Sequence, residues 1–338
     1  MQKKLIALAV ASLASTGAFA AFDANIEFDN LYQNRAENGS SKGLSQSGRV
    51  ELNASGKVGA DMFVAGRASF LAKKDGTAAT DDMWFQFGNS AVDLKLGRFE
   101  AADLFPIPRD AYIPFANVNS LGNKSFVYRG SVLRGRTGGD TFHGALTLNI
   151  GGGLSAELGI VENDKSSGSV NADTGAFTGN VKGLRPVLSY ASGPLMLRGG
   201  FESFSVGEEF LLGQFRNSKK ASGFGLTGSY DLGGITLSAN YASAKLKYTA
   251  FPGNKSTTYG LFANTSMGLA AGYIASEDTA DNLVGKFKTT TLYAAYTMPL
   301  FDIKGASMTT AIATSDGGGA LNNAEKVNGV KVRFNYAF

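Results

Sequence analysis

The 338-residue chain holds 44 glycines and 24 phenylalanines against 7 prolines, contains no cysteine, and carries a formal net charge of +4. The missing cysteine excludes disulfides and thiolate metal sites. The small charge gives no footing for a nucleic-acid partner.

The first element is a leader, "MQKKLIALAVASLASTGAFA". Lys3 and Lys4 precede an apolar run from Leu5 to Leu13, and Ala18-Phe19-Ala20 closes it. Basic start, short apolar run and A-x-A site predict a secretory signal peptide cleaved after Ala20, too short to span a bilayer. The expected organisation is therefore residues 1–20 as signal and 21–338 as one exported domain, whose formal charge falls to +2 without the two lysines. After Ala20 no apolar run approaches the ~20 residues of a membrane helix.

From there the chain alternates with period two, the mark of half-buried strands. Phe22, Ala24, Ile26 and Phe28 interleave with Asp23, Asn25, Glu27 and Asp29, and Val50, Leu52 and Ala54 with Arg49, Glu51, Asn53 and Ser55. Trp84 shares a face with Asp82 and Gln86. Phe142, Leu146, Leu148 and Ile150 oppose Thr141, His143, Thr147 and Asn149. The chain ends with Val330, Val332, Phe334, Tyr336 and Phe338 opposite Lys331, Arg333 and Asn335. Segments of about ten residues with charged inner faces suit tilted strands crossing a membrane.

The connections alternate in length. Short turns fall at Val58–Asp61, Gly88–Ala91, Gly151–Gly153, Ala191–Pro194, Asp231–Gly234, Ser266–Gly268 and around Pro299–Ile303. Longer polar loops are expected at Asn34–Ser47, Lys73–Thr80, Asn163–Lys182, Ser205–Ala221, Thr249–Ser256, Glu277–Phe287 and Ser315–Lys326. Short periplasmic turns and longer external loops are the pattern of an outer-membrane barrel.

"VYRGSVLRGR", Val127–Arg136, also reads as a strand. Counting it gives seventeen strands and puts Asn163–Lys182 on the side of the short turns; omitting it gives sixteen in correct alternation. Closure without an open edge in lipid favours the even number. The fold expected is all-β: a sixteen-stranded transmembrane antiparallel barrel. Its longest connection, the third loop at roughly Phe99–Asp140, is expected to fold into the lumen.

The leader, "DLKLGRFEAADLFP", the alternation throughout and the terminal "VRFNYAF" resemble the general bacterial porins. "GRFEAADLFP" and "YRGSVLRGR" resemble more narrowly the carbohydrate porins of the raffinose type. The resemblance covers the whole mature chain, though its motifs are diffuse. It implies a homotrimer in the outer membrane, among lipid and lipopolysaccharide, with an infolded third loop forming an eyelet. It also implies recognition of Phe338 by the barrel-assembly machinery.

An eyelet selects by size and by transverse charge. The loop offers Glu100, Asp103 and Asp110 as acids, and Arg98, Arg109, Lys124, Arg129, Arg134 and Arg136 as bases on the loop and its flanks. Inward wall positions add Arg49, Arg67, Arg185, Arg198 and Arg333. As a group these predict mild anion preference or weak selectivity; individually each equally suits a structural role, pairing with an acid to pin the loop. Sugar stacking has candidates in Trp84, the only tryptophan, and in Tyr112, Phe115 and Tyr128, which equally suit the membrane interface or local packing. Tyr190, Tyr230, Tyr241, Tyr273, Tyr296, Tyr336 and Phe338 read as an outward girdle.

Catalysis has little to stand on. His143 is the only histidine and has no motif around it. "GGGLS" at Gly151–Ser155 lacks the Lys-Ser/Thr and helix of a phosphate loop. Asp81-Asp82 and Glu208-Glu209, expected in or beside loops, lack an EF-hand pattern. No cofactor, metal or catalytic residue is expected. The chain reads as a diffusion channel for small hydrophilic solutes, sugars among them; the alternatives are a weakly anion-selective ion pore and a non-conducting adhesin or structural barrel.

Overall fold

The computed structural model describes residues 20–36, 42–58, 61–73, 75–109, 141–163, 170–171, 176–177, 181–211, 215–248, 252–281, 285–319 and 322–338. The strands are β1 (Ala20–Ala36), β2 (Lys42–Val58), β3 (Met62–Ala72), β4 (Ala78–Gly88), β5 (Val92–Arg98), β6 (Phe142–Gly151), β7 (Leu154–Asn163), β8 (Val170–Asn171), β9 (Ala176–Phe177), β10 (Val181–Ser192), β11 (Leu195–Leu211), β12 (Phe215–Asp231), β13 (Ile235–Tyr248), β14 (Asn254–Thr265), β15 (Leu269–Ala280), β16 (Phe287–Pro299), β17 (Ala306–Gly319) and β18 (Asn322–Ala337). β8 and β9 form a two-stranded sheet of their own, and the other sixteen close into one antiparallel barrel. β5 pairs directly with β6, which leaves no place in the wall for a strand at Val127–Arg136.

Alternation turns one face of each strand outward. Phe22, Ile26 and Phe28 of β1 are exposed while Glu27 is buried; Met83, Phe85 and Phe87 of β4 are exposed while Asp82 is buried. Leu292 and Tyr296 point out of β16, with Thr291 and Tyr293 on its other face. The barrel is thus apolar outside and polar inside, as a lipid-facing wall requires.

The seam joins the first and last strands of the barrel. β1 pairs with β18, and Ala24 and Phe338 exchange backbone hydrogen bonds of 2.8 and 2.9 Å. At the short-turn end, Gly153 and Gly268 sit at positive φ (+82° and +95°), and a β-carbon there would overlap the carbonyls of Ala191 and Thr297. Those close approaches let the neighbouring turns bond one another, Ala191 N–H to Gly153 O and Thr297 N–H to Gly268 O, each at 2.9 Å.

Two expectations need correction. The loops at Asn34–Ser47 and Ser205–Ala221 are much shorter, because β1 and β2 stay paired to Asn34↔Lys42 and β11 and β12 to Leu211↔Phe215. Polar composition there marks the part of a hairpin that stands in water, where backbone pairing continues. Asp81 and Asp82 lie within β4 rather than beside a loop. A bulge against Ala68–Phe70 of β3 lets both carboxylates avoid lipid, at 2% and 5% exposure.

Candidate pore lining

Residues 99–109, the start of the third loop, lie along the inner face of the wall. Phe99 stacks on His143 of β6 at 4.0 Å. Ala102 N–H donates to Glu157 of β7 at 3.0 Å, and the Arg185 guanidinium of β10 donates to Ala102 O. Arg198 of β11 donates to Asp103 O, Thr227 of β12 to Leu104 O, and Asn240 of β13 to Pro106 O, at 3.1, 2.8 and 2.7 Å. Tyr293 of β16 reaches Pro108 O at 3.2 Å. Arg109 closes the series, donating to Asn264 Oδ1 and Thr265 O of β14, each at 2.9 Å. A segment without regular structure thereby satisfies its carbonyls from the wall, strand after strand.

Packing fixes the same path. Phe105 is fully buried against Ala242, Phe262, Ile274, Tyr293 and Ala313, with Ile107 beside them. This apolar patch is on the inward face of β13–β17, opposite the outward Tyr259, Leu261, Tyr273 and Leu292. Glycines make room for it. A β-carbon at Gly225 would come within 2.7 Å of Leu104 Cβ, one at Gly200 within 3.0 Å of Leu104 Cδ1, and one at Gly260 within 2.8 Å of Phe105 Cζ. The sequence reading did not single out Phe262, Ile274, Tyr293 or these glycines; apolar residues on the inward parity of the later strands were the available signal.

Charge collects on the adjoining stretch of wall, β18 and β1–β4. Arg49 of β2 bonds Glu27 at 2.7 Å, Asp81 at 3.2 Å and Glu51 at 3.4 Å. Arg67 of β3 meets Glu51 at 3.2 Å and Asp82 at 3.6 Å, and Asn53 accepts from its Nε at 2.7 Å. Arg333 of β18 grips Asp29 through two bonds of 2.6 and 2.7 Å and reaches Glu27 at 3.2 Å, while Lys331 pairs with Asp29 at 3.5 Å. Glu27, Asp29, Glu51, Asp81 and Asp82 therefore offset Arg49, Arg67, Lys331 and Arg333, and the basic excess expected of these wall positions is absent from them.

The remaining candidates divide. Arg98 donates to the Asp81 carbonyl at 2.7 Å, so like Arg109 it holds backbone. Asp103 accepts from Phe105 N–H at 2.9 Å, capping its own turn, and Glu100 is exposed. Arg185 lies fully buried between Glu157 and Glu202, at 3.5 and 3.3 Å. Trp84 faces inward as expected, but its ring already carries the Lys95 ammonium at 4.2 Å and the Arg67 guanidinium at 5.7 Å. Asp110, Tyr112, Phe115, Lys124, Tyr128, Arg129, Arg134 and Arg136 lie outside the described residues, as does the leader through Phe19.

The model of the porin-like glycoporin RafY family matches residues 32–338. The chain belongs to this family. A search of curated protein sequences finds no match. Among solved structures, this family member is similar to the anion-selective porin from Comamonas acidovorans, with a TM-score of 0.66 at 14% identity over 95% of this chain and 100% of that one. It is similar to the trimer form of OmpT, an outer-membrane protein of Vibrio cholerae, with a TM-score of 0.66 at 13% identity over 94% and 99%. Pseudomonas putida OprB gives 0.63 at 11% identity over 94% of each chain. At such identities the likeness concerns the fold. With the family, it makes the glycoporin relative an outer-membrane porin.

Proposed function

We propose that the protein is a water-filled channel for passive diffusion of small hydrophilic solutes, with sugars among them, and not an enzyme. The observation carrying this reading is the anchored segment Phe99–Arg109, stacked on β6 and hydrogen-bonded to the inner wall from β7 to β16 within a glycoporin-family chain. A connection so fixed at its start directs the rest of the third loop into the lumen. There Asp110, Arg129, Arg134 and Arg136 narrow the passage opposite the Arg49 and Arg67 wall. Because Arg98 and Arg109 hold backbone and the wall arginines are matched by acids, charge selectivity is weak. Any anion preference rests on the three loop arginines. Sugar stacking belongs to Tyr112, Phe115 and Tyr128.

The same reading has the leader removed after Ala20 and three copies assembled in the outer membrane among lipid and lipopolysaccharide. Phe338 serves as the assembly machinery's handle, and no cofactor is used. A second reading, a general pore without sugar preference, draws support from Trp84, whose ring Lys95 occupies.

Single-channel conductance in a planar bilayer, with oligosaccharides titrated in, tests both. Stepwise conductance that an oligosaccharide blocks is the expected result. Conductance that no sugar slows leaves the general pore, and absence of conductance overturns the channel.

A further inference from the structure

The outer rim of the barrel carries lysines, and three of the described ones face an acid directly across the strand pair. Lys182 of β10 faces Glu162 of β7 at 3.5 Å, Lys288 of β16 faces Glu277 of β15 at 3.9 Å, and Lys326 of β18 faces Asp316 of β17 at 3.9 Å. Pairing of this kind is how exposed strands ordinarily settle their charge.

β12–β14 break the rule. Lys220 faces Lys247 across β12 and β13, and Lys245 faces Lys255 across β13 and β14. All four are exposed and share the outward face of Phe224, Leu226, Leu237, Tyr259 and Leu261. None makes an ion pair with a residue whose side chain is described. The nearest outward acid on the adjoining strand, Glu277, sits opposite Thr257 and is held by Lys286 at 2.6 Å. Like charges set directly opposite destabilise a strand pair, and twice on adjacent pairs they concentrate that cost. An arrangement that repels itself when empty gains most from a multivalent anion.

What lies beneath identifies the anion. Phe224, Tyr241 and Tyr259 form an aromatic cluster, with centroids 5.5 and 5.2 Å apart, of the kind that marks a membrane–water boundary. Next comes a hydroxyl pair, Ser243 and Thr257 at 3.3 Å. The lysines begin at the following outward row, Lys255 lying roughly 13 Å along the strand from Tyr259. From lipid to water the face runs aromatic, hydroxyl, ammonium. That order matches an amphiphile with acyl chains, a sugar or glycerol backbone and phosphates.

We infer that Lys220, Lys245, Lys247 and Lys255 form a docking site for the phosphate groups of an anionic outer-leaflet glycolipid, whose chains lie on the Phe224–Tyr241–Tyr259 cluster. The site rests on the barrel's membrane placement and is independent of solute passage.

The test uses the folded full-length barrel in dodecyl maltoside micelles, with lipopolysaccharide bearing a bisphosphorylated lipid anchor as probe. Retained lipid is counted by native mass spectrometry. The four-site Lys→Gln variant is expected to retain at least tenfold less, the four-site Lys→Arg variant to retain it as the parent does, and the control pair K288Q/K326Q to lose nothing. Dephosphorylated anchor should fail on all. Without lipid, the four-site Lys→Gln barrel should unfold at a higher denaturant concentration than the parent, because repulsion is relieved, while single-channel conductance stays unchanged. The site is overturned by equal lipid retention in the Lys→Gln variant, or by inorganic pyrophosphate competing as strongly as the lipid. Protection of the four lysines from acylation in lipid-free assemblies, which would make the face a subunit contact, overturns it as well.

Discussion

Arg49 shows how far an inward arginine can be from a free charge. Its guanidinium touches three carboxylates drawn from β1, β2 and β4. Removing one partner of a partly buried network leaves the others desolvated and repelling, at a cost of about 3 kcal/mol. Arg49→Ala should therefore destabilise the lipid-reconstituted barrel by that amount, read as a lower denaturant midpoint, and move the reversal potential in a salt gradient toward cations. An unchanged midpoint would separate the network from stability. Lys95 permits a second experiment. If its ammonium masks the Trp84 face, Lys95→Gln should strengthen oligosaccharide block several-fold, and Trp84→Ala in the parent should change it little. Both inward directions followed from parity in the sequence. The partners did not, because strand register brings together residues as distant as Asp29 and Arg333, 304 positions apart.

Among the elements, the segment Phe99–Arg109 is held by shape as much as by hydrogen bonds. Gly225→Val would push against Leu104 from the inner face of β12; overpacking of this kind costs about 1–3 kcal/mol. The expected result is a destabilised barrel with raised and noisier single-channel conductance, partly restored by adding Leu104→Ala. Conductance identical to the parent would show that this segment does not govern the passage. At the other end, the turns after β2 and β4 are tied by Ser90 N–H to Asp61 at 2.9 Å. Hydrogen bonds from the Ser90 hydroxyl and amide hold the Asp61 carboxyl below its ordinary range. Protection of the Ser90 amide from hydrogen exchange should thus be complete above the usual carboxylate pKa, constant from pH 7 to about 5. It should be lost only as pH falls through the lowered value, and Asp61→Asn should remove that acid limb. The elements themselves were largely legible, since inside and outside differ by one residue in two. Strand ends were not: β1, β2, β11 and β12 continue as paired hairpins through residues that read as polar loops. Nor was the apolar inner patch, because Phe262 and Tyr293 resemble any outward aromatic until register assigns their face.

For the molecule as a whole, the channel we propose takes any charge selectivity from the loop arginines outside the described residues. Arg129→Ala with Arg134→Ala should shift the reversal potential toward cations with no change in stability; a stability loss without a shift would make them struts. The closed sheet has a further consequence, and it lies in time. The pairing of β1 with β18 completes the circle at Ala24 and Phe338, so the first strand of the barrel has to wait for the strand farthest from it in sequence. Contacts so remote in sequence form late, after the entropy of the intervening chain has been lost. Until they form, two strand edges stand open, with backbone groups that lipid is unable to solvate. A nascent chain therefore has no stable halfway state in the membrane. It is committed only when β18 pairs, and a barrel without that strand is left as an open sheet for proteases to find.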